Sequence, residues 1–122
     1  MSQNLIREKS YAFAVKIIKL CKKLEESKEY VLAKQLLKSG TSIGANVEEA
    51  LAGQSRADFI SKMSIASKEA RETNYWLRLL RDSQILCQDQ VQNLLSESEE
   101  LINILTAIVK TTSKTKTLVN KG

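Results

Sequence analysis

The chain has 122 residues, 43% apolar and 27% charged, with no proline, no histidine and a net charge of +5. This composition fits one globular domain, and it excludes a disordered chain, an all-β fold rich in glycine and proline turns, and any histidine-based catalytic or zinc site. No uncharged apolar run is long enough to span a membrane and no signal peptide is evident, so we expect a cytoplasmic protein.

The first predicted helix spans residues 5–24. Its apolar face recurs at steps of four and three residues, at Ser10, Ala14, Ile17, Cys21 and Leu24, and is widened by Phe13, Ile18 and Leu20. On this face Cys21 is expected to be a small core residue rather than a reactive thiol. The opposite side carries a basic stripe, the candidate nucleic-acid-binding residues Lys9, Lys16, Lys19 and Lys23.

The second predicted helix runs from residue 28 to about 53, with Ser27 as its N-cap. Gly40 and Gly44 disfavour a helix by about 1 kcal/mol each relative to alanine. The apolar phase nevertheless continues unbroken across them, so we predict one continuous helix whose small residues allow another backbone to approach closely. A phosphate-binding loop is disfavoured because no Lys-Ser/Thr pair follows the glycines and no strand precedes them.

The third predicted helix begins after a capping box formed by Ser55 and Asp58. Its core seam is Phe59, Met63, Ala66, Ala70, Thr73, Leu77 and Leu80, and a second stripe beside it is Ile65, Glu69, Glu72, Trp76 and Leu79. Together they cover more of the helix than one side of a small bundle needs. We therefore predict a homo-oligomer interface at Ile65, Glu72, Trp76 and Leu79.

A connector at 82–88 leads to the fourth predicted helix, with Asp89 as its cap and Val91, Leu94, Ser98, Leu101, Leu105 and Ile108 as its seam. Four helices with short links favour an all-α, antiparallel up-down-up-down bundle over residues 1–110, in which the first and last helices are neighbours. The basic, threonine- and lysine-rich segment 111–122 is expected to be a flexible tail.

Polar residues border the apolar faces of the second and third helices. Because buried charges need partners, we predict a structural polar layer of Ser42, Asn46, Glu49, Lys62 and Glu69, with Lys62 available to one or both glutamates. Paired carboxylates also allow an oxygen-ligated metal site or an acid–base pair, but no signature spacing supports either. We predict no catalytic residue, no metal and no cofactor.

Four segments carry a family resemblance: KSYAFA at 9–14, SGTSIGANVEEA at 39–50, SRADFISKM at 55–63 and KEARETNYWLRLL at 68–80. They resemble the four helix bundle protein family, also called the 23S rRNA intervening-sequence protein family, over roughly residues 5–110. The family's motif residues are matched by Ser42, Asn46, Glu49, Asp58, Lys62, Glu69, Glu72 and Trp76.

The resemblance implies a small four-helix bundle that assembles into a pentamer and has no known catalytic residues. It also implies kinship with the accessory variability determinant of diversity-generating retroelements, a basic barrel that binds nucleic acid and a reverse transcriptase.

Two functions remain open from the sequence. The first is a non-enzymatic, nucleic-acid-associated accessory protein that binds RNA or DNA through its basic surface. The second is a structural adaptor that docks a protein partner and has no nucleic-acid role. The first 47 residues hold nine basic and four acidic side chains, which favours the first, whereas residues 82–110 hold one basic and five acidic side chains, which favours the second.

Overall fold

Within residues 2–121 the chain forms four α-helices joined by short turns. The computed structural model describes the backbone of residues 2–121 and the side chains of residues 3–114. The helices are α1 (Ser2–Glu26), α2 (Tyr30–Ala52), α3 (Arg56–Asp82) and α4 (Gln88–Lys121). The prediction of an all-α four-helix bundle is confirmed.

The turn between α1 and α2 differs from the prediction. Lys28 takes a left-handed conformation with φ of 65°. The amides of Lys28 and Glu29 donate to the carbonyls of Glu25 and Leu24, the paired bonds of a Schellman motif that ends α1. Ser27 belongs to this turn, and α2 begins at Tyr30 after Glu29, whose side chain makes no capping bond. The predicted cap at Ser27 is therefore wrong.

The glycine-containing segment of α2 is helical throughout, as predicted. A Cβ at Gly40 would lie 2.7 Å from Cγ2 of Ile17, and a Cβ at Gly44 would lie 3.4 Å from the carbonyl oxygen of Ser10. The glycines thus bring α2 against both a side chain and the backbone of α1. The predicted close approach is confirmed.

Of the two caps predicted for α3 and α4, the one at Ser55 is confirmed and the one at Asp89 is wrong. Ser55 accepts a hydrogen bond from the Asp58 amide at 3.0 Å, as predicted. Gln84, with φ of 64°, closes α3 in a second Schellman motif. Cys87 precedes α4, and its amide donates to Oε1 of Gln90 at 2.9 Å. Asp89 lies inside the first turn, so the prediction of Asp89 as the cap is wrong.

The core lies between all four helices. Each helix contacts the next one along the chain, and α1 also contacts α4, which confirms that the first and last helices are neighbours. The largest fully buried side chains of this core include Phe13, Ile6, Ile17, Leu24, Leu36, Ile43, Met63, Leu77, Leu80, Leu101 and Leu105. Ile18, which the sequence placed on the core face, is exposed instead.

The helix α4 continues past residue 110, so that boundary is not the end of a helix. The flexibility expected of the segment 111–122 stays a prediction, because the bounds of a helix do not report on its motion. The side chains after Lys114 lie outside the described residues. Within the described part of the chain, no helix is both long and apolar enough to cross a bilayer.

Candidate functional site

The basic stripe on α1 divides into two halves. Lys9 Nζ lies 2.9 Å from Oε1 of Glu100, and Lys16 Nζ lies 3.0 Å from both carboxylate oxygens of Glu97. These acids belong to α4, the helix that packs beside α1. The two lysines are therefore paired with neighbouring carboxylates, and their charge is largely neutralised for any external partner.

The other half of the stripe is unpaired. Lys19 and Lys23 are exposed, and neither forms an ion pair with any described residue. On α4, Lys110 and Lys114 are likewise exposed and unpaired within that part of the chain, and no acid follows Glu100 in the sequence. Free positive charge therefore lies on the second half of α1 and the last part of α4.

The residues of the predicted polar layer do not form one cluster. Lys62 Nζ lies 3.4 Å from Oε1 of Glu49, which joins α3 to α2, but the two side chains are 31% and 59% exposed. Glu69 follows Lys62 by seven residues, or about 10 Å along the helix. Lys62 therefore meets one of the two glutamates at the rim of the bundle.

The other members of the layer bond within their own helix. Ser42 Oγ donates to the Lys38 carbonyl at 2.6 Å, and Asn46 Nδ2 donates to the Ser42 carbonyl at 2.8 Å. Partial burial raises the pKa of Glu69, and the nearby Glu72 carboxylate adds to this effect. Lys38 and Lys68 oppose it, but they form no ion pair with Glu69.

The buried polar contacts between helices involve other residues. The hydroxyls of Ser39 and Thr73 are 2.9 Å apart and fully buried between α2 and α3. Asn74 Nδ2 donates to Ser98 Oγ at 2.9 Å and links α3 to α4. The spacing of Thr73 and Ser98 predicts core positions and that of Ser39 predicts a position bordering the apolar face of the second helix, but spacing alone does not show which hydroxyls meet.

The second stripe of α3 lies on the outer surface. Ile65 is exposed, Leu79 is 39% exposed, and Trp76 is only partly buried against the core. The indole Nε1 of Trp76 donates to Oε2 of Glu72 at 3.2 Å, and the ring makes an edge contact with Tyr75 at 5.2 Å between centroids. This stripe, Ile65, Glu69, Glu72, Trp76 and Leu79, is called the α3 stripe below.

A comparable stripe on α1 was missed from the sequence. Tyr11, Val15 and Ile18 are exposed, and with Glu8 and Lys22 they step by three and four residues along one helix face. This set is called the α1 stripe. Its spacing is visible in the sequence, but a prediction that places Ile18 on the core face hides the stripe.

Several observations bear on enzyme or metal chemistry. Two surface grooves are open to solvent, with volumes of about 440 Å³ beside Leu5 and Phe59 and about 420 Å³ beside Arg7 and Tyr11. In the described part of the chain, no three histidine, cysteine or acidic side chains are placed to hold a metal ion. Burial, together with the nearby Glu25, raises the pKa of Cys21 to about 11, which keeps this thiol protonated at neutral pH.

The fold and these surfaces define a class of protein, an all-α four-helix bundle with unpaired basic and apolar outer faces. The family model of the 23S rRNA-intervening sequence protein matches residues 2–107. The chain belongs to this family.

A solved structure is similar over nearly the whole chain. It is the crystal structure of a protein of unknown function from the S23 ribosomal protein family of Bacteroides thetaiotaomicron. The two chains share 49% identity with a TM-score of 0.87, over 90% of this chain and 99% of that one. A comparison with curated proteins gave no match.

Proposed function

We propose that the protein is a non-enzymatic, nucleic-acid-associated accessory protein that binds phosphate backbones through unpaired lysines and acts as a homo-oligomer. The observation that carries this proposal is the exposure of Lys19 and Lys23 without ion-pair partners among the described residues. Unpaired surface cations attract phosphates and release counterions on binding, without reading base sequence. Membership of the 23S rRNA-intervening sequence family is consistent with this proposal.

The arrangement of the helices supports the architecture that this function assumes. We infer an antiparallel up-down-up-down bundle, because contacting residues rise in number along one helix as they fall along its neighbour. The pairs are Arg7–Glu48 and Cys21–Ala33 for α1 and α2, Ser39–Thr73 and Glu49–Lys62 for α2 and α3, and Arg71–Thr106 and Asn74–Ser98 for α3 and α4.

Self-association is supported by the exposed apolar side chains of the α3 stripe. Ile65 and Leu79 are exposed and Trp76 is only partly buried, and large apolar side chains gathered on an outer face often mark a contact between proteins. The ring size proposed is the pentamer implied by the family resemblance. A ring would repeat Lys19 and Lys23 around its surface, which raises the local concentration of phosphates and the association rate.

The proposal is tested by titrating labelled duplex DNA and single-stranded RNA with the protein at about 50 and 200 mM salt. We expect binding at low salt, little difference between base sequences, and a steep loss of affinity at high salt. Absence of binding at low salt, or binding that does not change with salt, would contradict the proposal.

Two double variants with the same change in net charge locate the surface. Lys19→Gln with Lys23→Gln removes unpaired charge, so the slope of log affinity against log salt for duplex DNA should fall by about 1.8 for each copy of the chain that contacts the DNA. Lys9→Gln with Lys16→Gln removes lysines that Glu100 and Glu97 neutralise, so it should change the slope less. Equal effects of the two variants would contradict the assignment to Lys19 and Lys23.

The alternative function is a structural adaptor that docks a protein partner, and the exposed apolar stripes on α1 and α3 favour it. The two functions are separated by a pull-down with and without nuclease. The adaptor would be favoured if a partner is retained after nuclease treatment and if the Lys19→Gln and Lys23→Gln changes do not reduce the amount of partner retained.

A further inference from the structure

Two outer faces of one protomer carry apolar stripes of the same length and period. The α1 stripe steps from Glu8 to Lys22, and the α3 stripe steps from Ile65 to Leu79, each by threes and fours. Such spacing places five side chains along one side of a helix, the pattern of a helix-packing seam. Three of the five side chains in each stripe are apolar, and no other helix of the described chain covers either stripe.

The charges on the two stripes are different. Within the α3 stripe, Glu69 and Glu72 lie one turn apart, and neither forms an ion pair with a described residue. The α1 stripe ends at Lys22, which is exposed and also unpaired in that part of the chain, with the unpaired Lys19 beside it. The α3 stripe therefore carries two carboxylates and no cation, whereas the α1 stripe carries one carboxylate, Glu8, and one ammonium group, Lys22, so the α3 stripe is the more acidic of the two.

We propose that the α1 stripe of one copy docks on the α3 stripe of a second copy, so that the homo-oligomer is built from a head-to-tail contact. This inference rests on the self-association in the proposed function and names the surface that the α3 stripe meets. A contact between two different patches repeats at every copy and closes into a ring where the rotation allows.

Pairing of a stripe with the same stripe of a second copy, about a two-fold axis, agrees less well with the charges and the exposed side chains than the head-to-tail contact does. Two α3 stripes would bring Glu69 and Glu72 of both copies together, and like charges repel across an interface. Two antiparallel α1 stripes would match Lys22 with Glu8, but they would leave the α3 stripe, with Trp76 and Leu79, in water. The head-to-tail contact covers both stripes of every copy with one kind of interface and sets Lys22 against the acidic stripe.

The test uses two variants, each of which places a carboxylate in one of the two stripes. Val15→Asp and Leu79→Asp change residues that are 37% and 39% exposed in the protomer, so the fold of each variant should survive. An unpaired carboxylate inside the contact should weaken self-association more than about 100-fold. Light scattering should then give the protomer mass of 13.7 kDa for each variant alone and a larger mass for the unmodified chain.

Mixing the two variants decides between the arrangements. Each variant keeps the stripe that the other has lost, so the equimolar mixture should form a one-to-one heterodimer of about twice the protomer mass and grow no further. A Leu79→Asp protein that remains a dimer would show self-pairing of the α1 stripe and overturn the proposal. A mixture that stays monomeric, with both variants folded by circular dichroism, would overturn it as well.

Leu5→Asp is the matched control, because Leu5 is an apolar residue of α1 with 43% exposure that lines a groove with Phe59 and Ile104, away from the α1 stripe. It should leave the oligomer mass unchanged. Lys22→Glu gives a second measurement that does not threaten folding: it removes the ammonium group of the α1 stripe and should weaken association with the acidic α3 stripe about two- to fivefold. Association that is unchanged or stronger in this variant would contradict the charge match.

The outcomes separate this inference from the proposed function. If Val15→Asp still forms the original oligomer, the α1 stripe is not the docking surface. The binding of nucleic acid is tested separately, by the salt dependence of the variant with Lys19→Gln and Lys23→Gln. If the unmodified chain is monomeric, self-association itself fails, and the head-to-tail contact fails with it.

Discussion

The hydroxyls of Ser39 and Thr73 meet at 2.9 Å in the interior and join α2 to α3. Each has a second contact, Ser39 Oγ with the Leu36 carbonyl at 3.4 Å and Thr73 Oγ1 with the Glu69 carbonyl at 2.8 Å. A buried hydroxyl that loses a partner lowers stability, whereas an apolar pair of similar shape needs no partner. We therefore expect the contributions of Ser39 and Thr73 to the free energy of unfolding to be coupled.

We predict that Ser39→Ala and Thr73→Val each lower the free energy of unfolding by about 1 kcal/mol. The double variant should lose less than the sum, with a coupling energy of about 0.5–1.5 kcal/mol, measured by urea denaturation. Thr41→Val is the control, because Thr41 Oγ1 bonds the Leu37 carbonyl within α2. Its cost should add to that of Ser39→Ala, and simple additivity for Ser39 and Thr73 as well would contradict the prediction.

Gly40 gives a prediction whose sign depends on its neighbour. A Cβ at this position would lie 2.7 and 2.9 Å from Cγ2 and Cγ1 of Ile17, so Gly40→Ala overpacks the core and should lower stability by about 1–3 kcal/mol. In an Ile17→Ala background those atoms are gone. The same change should there raise stability by up to about 1 kcal/mol through helix propensity.

Gly44 is the matched control for Gly40, because both are glycines of α2 that face α1. A Cβ at Gly44 would lie 3.4 Å from the Ser10 carbonyl oxygen and 3.5 Å from Ser10 Oγ, an ordinary contact. Gly44→Ala should therefore raise the denaturation midpoint in the unmodified chain. The prediction would be contradicted if Gly40→Ala raised the free energy of unfolding, or if its effect were the same with and without Ile17→Ala. Either result would show that α1 can move to make room for the added Cβ.

The sequence was sufficient for the helices and the core because both follow from the spacing of apolar residues. Seam residues such as Ile17, Met63 and Leu77 are fully buried as predicted. The helix ends were less predictable. Lys28 and Gln84 take left-handed conformations although neither is a glycine or an asparagine, the residue types that usually mark such a helix end. The turn at Lys28 takes up Ser27, and α4 begins one residue before Asp89, so neither predicted cap was correct.

The candidate site was less predictable than the core, for a different reason. Spacing gives the direction in which a side chain leaves its helix but not the register of the neighbouring helix. The pairing of Lys9 with Glu100 depends on how α1 and α4 are aligned, and so does the absence of an ion pair at Lys19. For the same reason, the link of Lys62 to Glu49 rather than to Glu69 was not fixed by the sequence.

The turn between α3 and α4 contains a residue that glycine should improve. Gln84 has a φ of 64°, and the left-handed conformation costs a residue with a Cβ about 1–2 kcal/mol. Glycine avoids this cost but loses more chain entropy on folding, so Gln84→Gly should raise the free energy of unfolding by about 0.5–1 kcal/mol. Ser83→Gly is the control, because Ser83 has a φ of −84° and should only be destabilised. Equal effects at the two positions would contradict the assignment of strain to Gln84.

The last prediction concerns the pH dependence of stability. Burial, with a smaller contribution from Glu72, places the pKa of Glu69 above that of an ordinary glutamate. The folded state therefore binds this proton more strongly than the unfolded state does. The resulting stabilisation is complete below the ordinary glutamate pKa and is lost as the pH rises through the raised value. At neutral pH the ionised side chain is a net cost.

Glu69→Gln removes this ionisation while keeping the shape of the side chain. The melting temperature of the variant should exceed that of the unmodified chain at pH 7, and the difference should disappear below a pH of about 4.3. Calorimetry at concentrations where the chain is monomeric by light scattering keeps contacts between copies out of the measurement. Glu99→Gln, at an exposed position of α4, controls for net charge. A Glu69→Gln protein that melts lower than the unmodified chain at pH 7 would mean that the carboxylate is stabilised in the fold, because its pKa would then be lowered rather than raised.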